Sequence, residues 1–160
     1  MLLVHSCSKM EENNKGTVII SSKFNFDSAS VYGYNFDLAK STAFPSTGEP
    51  LPDIIVDMFR LIDGSVKPGF TSPDNPYGFW QAGEFGSLSE SMDFFENELK
   101  TEDASVDFTP STDTVRKYQV YLLKTTTGNY AKIHVSEIWE IDEAAGTHID
   151  VKIDYYYPFQ

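Results

Sequence analysis

Between Lys117 and Ile141 the chain reads KYQVYLLKTTTGNYAKIHVSEIWEI, two apolar-rich runs on either side of a short turn at Thr126–Asn129. In the first run Tyr118, Val120 and Leu122 alternate with Gln119, Tyr121 and Leu123. In the second, the odd positions Ala131, Ile133, Val135, Trp139 and Ile141 carry nearly all the apolar side chains. A period of two is a strand signal. Two such runs around a glycine-containing turn predict an antiparallel hairpin, Val115–Lys124 with Tyr130–Ile141. His148–Tyr157 extends it to a three-strand meander. Ile149, Val151, Ile153, Tyr155 and Tyr157 share one face there, and His148, Asp150, Lys152 and Asp154 the other.

Earlier segments follow the same logic. Thr17–Phe26 is rich in strand formers, with Val18 and Ile20 on one face. Val31–Leu38 alternates and puts Tyr32, Tyr34, Phe36 and Leu38 together, with Gly33 marking a bulge or a close backbone approach. Asp53–Ile62 is apolar on both faces, Ile55, Phe59 and Leu61 against Ile54, Val56 and Met58, which predicts a central strand. Asp63-Gly64 then turns the chain into a short strand over Ser65–Phe70. Ala39–Pro52 and Thr71–Gly86 read as loops, and Val106–Phe108 as a short strand. Only Ser87–Lys100 has helical spacing. Leu88, Met92, Phe95 and Leu99 form a stripe broadened by Phe94, and Ser87 with Glu90 forms an S-x-x-E capping box. The expected fold is mainly β (α+β): antiparallel sheets with hairpins and one packed amphipathic helix near 87–100. The long hairpin lies at the sheet centre, with Trp139 and Ile141 under the helix.

Composition narrows the function classes. At 160 residues the chain fits a single β-rich domain over 17–160, large enough to need no disulfide framework. A net charge of −12 lacks the basic patch that nucleic acid requires, and it opposes docking of the folded domain on an anionic membrane. The single cysteine, Cys7, precludes an intramolecular disulfide, and no run of eighteen apolar residues exists to span a bilayer.

The chain opens MLLVHSCSKMEENNKG. Met1–Val4 followed by His5, Ser6 and Cys7 resembles the end of a bacterial lipoprotein signal, in which the cysteine becomes the lipidated first residue of the mature chain. Val4 and Ser6 fit that pattern; His5 is unusual, and the charged region and most of the apolar region of a signal are absent. Two or three acyl chains on such a cysteine anchor firmly where one is marginal. Residues 1–16 then read as a truncated signal and a polar tether. The acidic pair Glu11–Glu12 resembles the export signals of some Bacteroidota surface lipoproteins.

Catalytic motifs are missing. There is no G-x-S-x-G, P-loop, G-x-G-x-x-G, H-E-x-x-H or cysteine cluster. Asp74–Asn75 and Asp142–Glu143 are acidic but match no EF-hand loop. The reading is therefore non-catalytic, with a glycan-binding or hydrolytic accessory role as an alternative. Tyr77, Phe79, Trp80 and Phe85 place four aromatics on one predicted loop, either as a stacking surface for a ligand ring or as a plug for the end of a sheet.

The segment VYLLKTTTGNYAKIHV, with Tyr121–Val135 carrying T-x-x-G-x-YAK, resembles HmuY-like lipoproteins of Bacteroidota. The resemblance covers roughly the C-terminal third. It implies a β-rich domain on the outer membrane, facing the cell surface or the periplasm, that binds an extracellular ligand such as a glycan, peptide or haem. The family's founding member holds haem between two histidines, which would here be His134 and His148. With a turn at Ala144–Ala145, His148 falls opposite residue 140 or 141, and the two histidines lie ~20 Å apart. One haem cannot bridge that distance. The expectation is no cofactor, with mixed ligation by a histidine and Met58 or Met92 the remaining route to haem.

Overall fold

The computed structural model describes residues 14–46, 48–101 and 107–159. In chain order the elements are β1 (Asn14–Ser21), β2 (Val31–Asn35), β3 (Lys40–Phe44), β4 (Ile55–Arg60), β5 (Val66–Thr71), β6 (Phe79–Glu84), α1 (Leu88–Asp93), β7 (Gln119–Lys124), β8 (Tyr130–Glu143) and β9 (Gly146–Phe159). The fold is mainly β. A five-stranded antiparallel sheet runs β1-β9-β8-β7-β6, and β2-β3 and β4-β5 are separate two-stranded sheets.

Alternation along β7, β8 and β9 gives the large sheet two apolar faces. Tyr121, Leu123, Ile133, Val151 and Ile153 turn toward the two small hairpins, which add Tyr34, Phe36, Ile54, Val56 and Phe70 to one continuous core. Each of these side chains, fully buried, stabilises the fold by roughly 1.5–3 kcal/mol. Val120 and Leu122 turn the other way, onto Phe95 and Leu99 of the helical segment. α1 starts as its sequence predicts: the Ser87 hydroxyl accepts a hydrogen bond from the Glu90 amide at 3.3 Å. It continues as a π-helical turn, Phe94–Glu98, and ends before Lys100. The turns after Asp63 and Thr127 place Gly64 and Gly128 at φ +84° and +89°, where glycine is unstrained.

Four expectations are corrected. β4 is not central. It pairs only with β5, burying Ile55 and Val56 while Met58, Phe59, Leu61 and Ile62 face outward. β3 and β6 form within stretches read as loops, because their alternation is short and broken by Gly83 in β6. Trp139 and Ile141 do not lie under the helix. A bulge between Val135 and Glu137 inserts one residue into β8 and inverts its facing, so Ile138 instead of the odd positions joins the main core. The residues of the expected short strand at 106–108 that are described, Asp107 and Phe108, are not in a strand, and Val106 lies outside the described residues.

Gly33 is a close approach of two backbones: a Cβ there would sit 2.2 Å from the Ile54 carbonyl oxygen. The same crossing carries Asp53, which is fully buried. One of its oxygens accepts from the Phe36 amide at 2.8 Å, and the other has no partner among the described residues. Burial pushes the Asp53 carboxyl up to about 6, partly offset by the Phe36 bond and reinforced by the charge of Asp37. The folded chain therefore binds this proton more tightly than the unfolded chain. Stability falls as pH rises from about 4 to about 6 and stays reduced above. Asp53→Asn removes the dependence. Its stability relative to wild type is expected to be greater at pH 7.5 than at pH 4.5, by about 2 kcal/mol in urea unfolding. Parallel pH profiles would contradict this.

Candidate functional site

The histidines are placed as the hairpin register requires, and apart. His148 pairs with Ile141, six residues along β9 from Asp154, the partner of His134. That separation is ~20 Å. His134 is fully buried beneath α1. Its Nε2 lies 2.9 Å from the Ser91 hydroxyl and its Nδ1 3.4 Å from Asp154, whose other oxygen accepts from Thr17 at 2.6 Å. Serine, histidine and aspartate in a row have the composition of a hydrolytic triad. Here Ser91 and His134 are both closed off from solvent, and the serine lies 3.0 Å from the Leu88 carbonyl oxygen. The arrangement pins the helix to the sheet. Two residues earlier on β8, Lys132 does the same: its ammonium donates to the Phe95 carbonyl and sits 4.6–5.0 Å from the ring centres of Phe95, Tyr156 and Phe159. Met92 packs against the same cluster.

The four loop aromatics are separated. Phe79 enters the main core, Trp80 and Phe85 pack on the helix side, and Tyr77 alone is exposed. The segment is a strand, so neighbouring rings point to opposite faces. Cys7 lies outside the described residues. No group of three or more His, Cys, Asp or Glu suited to a metal occurs among the described residues.

The surface that does gather exposed aromatics lies at the other end of β1. Ser22 extends the β1-β9 ladder by one bond, its amide donating to the Ile149 carbonyl at 2.9 Å, its hydroxyl accepts from the Ile149 amide at 2.8 Å, and the chain then leaves the sheet. Asn25 and Ser30 close the loop with paired backbone bonds, and the Asn25 side chain accepts from the amides of Asp27 and Ser28. The polar loop backbone is thus satisfied internally, and its two phenylalanines are left outside. Phe26 is 75% exposed and Phe24 45%, their rings packed edge to face at 5.2 Å. Lys23 holds the loop to the tip of the β8-β9 hairpin through Glu143, at 2.6 Å. Two clefts open here and share Lys23, Phe24 and Phe26. One, of about 410 Å³, runs toward Asn25, Asp27 and Tyr32. The other, of about 250 Å³, reaches Met58, Glu143 and His148. Both offer apolar walls with a few polar groups, the general form of a small-molecule site. Sequence reading assigned these residues to strands. The signal available was an aromatic pair, Phe24 and Phe26, abutting the turn at Asp27–Ala29. No family model, curated protein or solved structure matches the chain.

His134 links the buried row to solution conditions. Burial lowers its pKa, partly offset by Asp154 and Glu96. The unfolded chain then takes the proton more readily. The contribution to stability is complete above the ordinary histidine value and is lost as pH falls below it. Between pH 7 and pH 5, wild type is expected to lose stability relative to His134→Gln in thermal unfolding. Identical profiles would show that His134 is charged in the fold.

Proposed function

We propose that this domain captures an extracellular ligand, without catalysis, at the end of the molecule formed by Phe24, Phe26, Tyr32 and Met58. The observation that carries the reading is the pair of clefts sharing an exposed Phe24–Phe26 edge, in a chain whose other aromatic pairs are mostly core. A second observation supports it. β1 runs from Asn14, opposite Tyr157, to Ser21, opposite Asp150, and the clefts follow directly after it. The N-terminal segment therefore joins the sheet roughly 23 Å from the clefts. Lipidation at Cys7 would tether the domain to the outer membrane at that first end and leave the clefts at the other. The likeness of Tyr121–Val135 to HmuY-like lipoproteins agrees with such a tethered β domain. No helix among the described residues is long and apolar enough to cross a membrane.

A sugar ring is the ligand chemistry that fits best. Its apolar face stacks on Phe26 or Tyr32, and Asn25, Asp27 and Lys23 supply short polar contacts for hydroxyl groups. Haem is the second reading, favoured by one fact: Met58 and His148 line the same cleft. Affinity electrophoresis over a broad glycan panel tests the first. Phe26→Ala and Phe24→Ala are expected to weaken retention at least tenfold, with unchanged circular dichroism. Equal retention of both variants and wild type would overturn it. A Soret shift on adding haemin, lost in Met58→Ala, would favour the second. Radiolabelled palmitate supplied to cells expressing the chain behind a complete lipoprotein signal tests the anchor. Label is expected in wild type and absent from Cys7→Ala; label in both would place the lipid elsewhere.

A further inference from the structure

β7 begins at Gln119, after Tyr118, whose φ of +68° swings the preceding residues off the sheet. The last ladder contact on that side is the bond from the Tyr118 amide to the Val135 carbonyl, at 2.8 Å. β8 continues eight residues further, to Glu143. Its far half is paired on one side only. The directions of its backbone groups follow from the register. The Ile149 carbonyl accepts from Ser22, so it points toward β1. Its neighbours His148 and Asp150, and Lys152 beyond, therefore point toward β8, where they meet Ile141, Trp139 and Glu137. That leaves Ile138, Glu140 and Asp142 turning their N–H and C=O outward. No described residue pairs with them.

A groove of about 440 Å³ lies beside this edge. Its opposite wall carries Leu61, Val66, Pro68 and Val115 together with the basic Lys67 and Arg116, the latter held by Glu84, and Ile138 and Glu140 form the near side. Val115 is held there by a 2.8 Å bond from its amide to the Pro68 carbonyl. The exposed Leu61, backed by the buried Val66, Pro68 and Val115, thus stands next to a row of backbone donors and acceptors. The matching occupant is an extended polypeptide, which satisfies the backbone row and places alternate side chains in the groove. The charges along the edge say which kind. Lys117 pairs with Glu137, Lys23 pairs with Glu143, and Thr147 donates to Asp142. The Glu140 carboxylate has no such partner among the described residues. A second copy of this chain is a poor occupant. Antiparallel pairing of Glu137–Glu143 with itself sets Glu140 against Glu140, in two molecules each carrying −12.

We propose that the outer edge of β8, at Ile138–Asp142, is a strand-addition site. It accepts an extended segment of another protein, with an apolar residue entering beside Leu61 and Val66 and a Lys or Arg opposite Glu140. The site is distinct from the Phe24–Phe26 clefts and does not depend on them.

The test uses the full chain and a displayed library of random octapeptides, with Glu140→Pro as the counter-screen. Proline removes an outward N–H that the β8-β9 ladder does not use, so the fold is retained, which thermal unfolding checks. Enriched peptides are expected to alternate apolar residues around one basic residue. They should bind Glu140→Pro at least tenfold more weakly, and lose binding when alternate amides are N-methylated. They should also slow hydrogen exchange at Ile138, Glu140 and Asp142. Binding to Phe24→Ala/Phe26→Ala should be unchanged, which separates this site from the clefts. No enrichment over Glu140→Pro, protection elsewhere, or exchange at these three amides already slow in the free protein would overturn the proposal. So would a stable dimer in sedimentation that Glu140→Pro dissolves.

Discussion

The ladder between β8 and β9 positions everything else in the domain. It is fourteen residues long on each strand, and the other units are placed on it directly or through a neighbour. β1 adds to one side, β7 and β6 to the other. Because strand facing has a period of two, a slip of one residue would turn the whole core outward. The register is held by burial on both faces of the near half, where Ile133, Val135, Ile153 and Tyr157 meet the hairpins and Lys132 and His134 meet the helix. Two slips are built in, one between Tyr130 and Lys132 near the start of β8 and the bulge between Val135 and Glu137. The second divides β8 into a near half that is buried on both faces and a far half that is not.

Basic side chains at two alternate positions on the near half settle where the helix lies. Lys132 and His134 are costly to bury, and each is offset by a specific partner on the helical segment, the Phe95 carbonyl and the Ser91 hydroxyl. An apolar stripe alone would let the helix slide along Val120 and Leu122. The two polar contacts fix its position along the strand, the use for which buried polar groups are best suited. Asp53 has the opposite character. It is buried with one oxygen unpartnered, and its charge is a penalty instead of a lock. His134 and Asp53 thus tilt stability in opposite directions across mildly acidic pH, which flattens the combined response.

Much of the ladder was legible in the sequence. The turn at Ala144–Ala145, the pairing of His148 near Ile141, the capped start of α1 and the close approach at Gly33 all follow from period, turn chemistry and glycine placement. The failures share a cause. Trp139 and Ile141 were assigned by extrapolating alternation through a bulge that no residue type announces. β4 looked central because Met58, Phe59, Leu61 and Ile62 are apolar, yet these side chains are exposed. Phe79 and Trp80 looked like one surface because they are adjacent in a stretch read as a loop, whereas in a strand they face apart. The exposed pair Phe24 and Phe26 was hidden by the converse: it sits in a strand-like run that leaves the sheet after Ser22.

The exposed apolar residues of β4 mark the outer side of a ridge. The β4-β5 hairpin lies across the far half of β8 and β9, and clefts open on both its flanks, Met58 lining one and Leu61 the other. A hairpin kept only for core packing gains nothing from Ile62, fully exposed at its tip beside the turn. Scattered exposed apolar residues are ordinary on protein surfaces. Here they divide between the hairpin's two flanks: Met58 shares one cleft with Phe24 and Phe26, and Leu61 faces the other. The net charge of −12 opposes self-association through such side chains. The bulge that frees the far half of β8 from the core leaves its unpaired backbone at the same end of the molecule as the Phe24–Phe26 pair and the β4-β5 ridge, opposite the end where β1 enters the sheet.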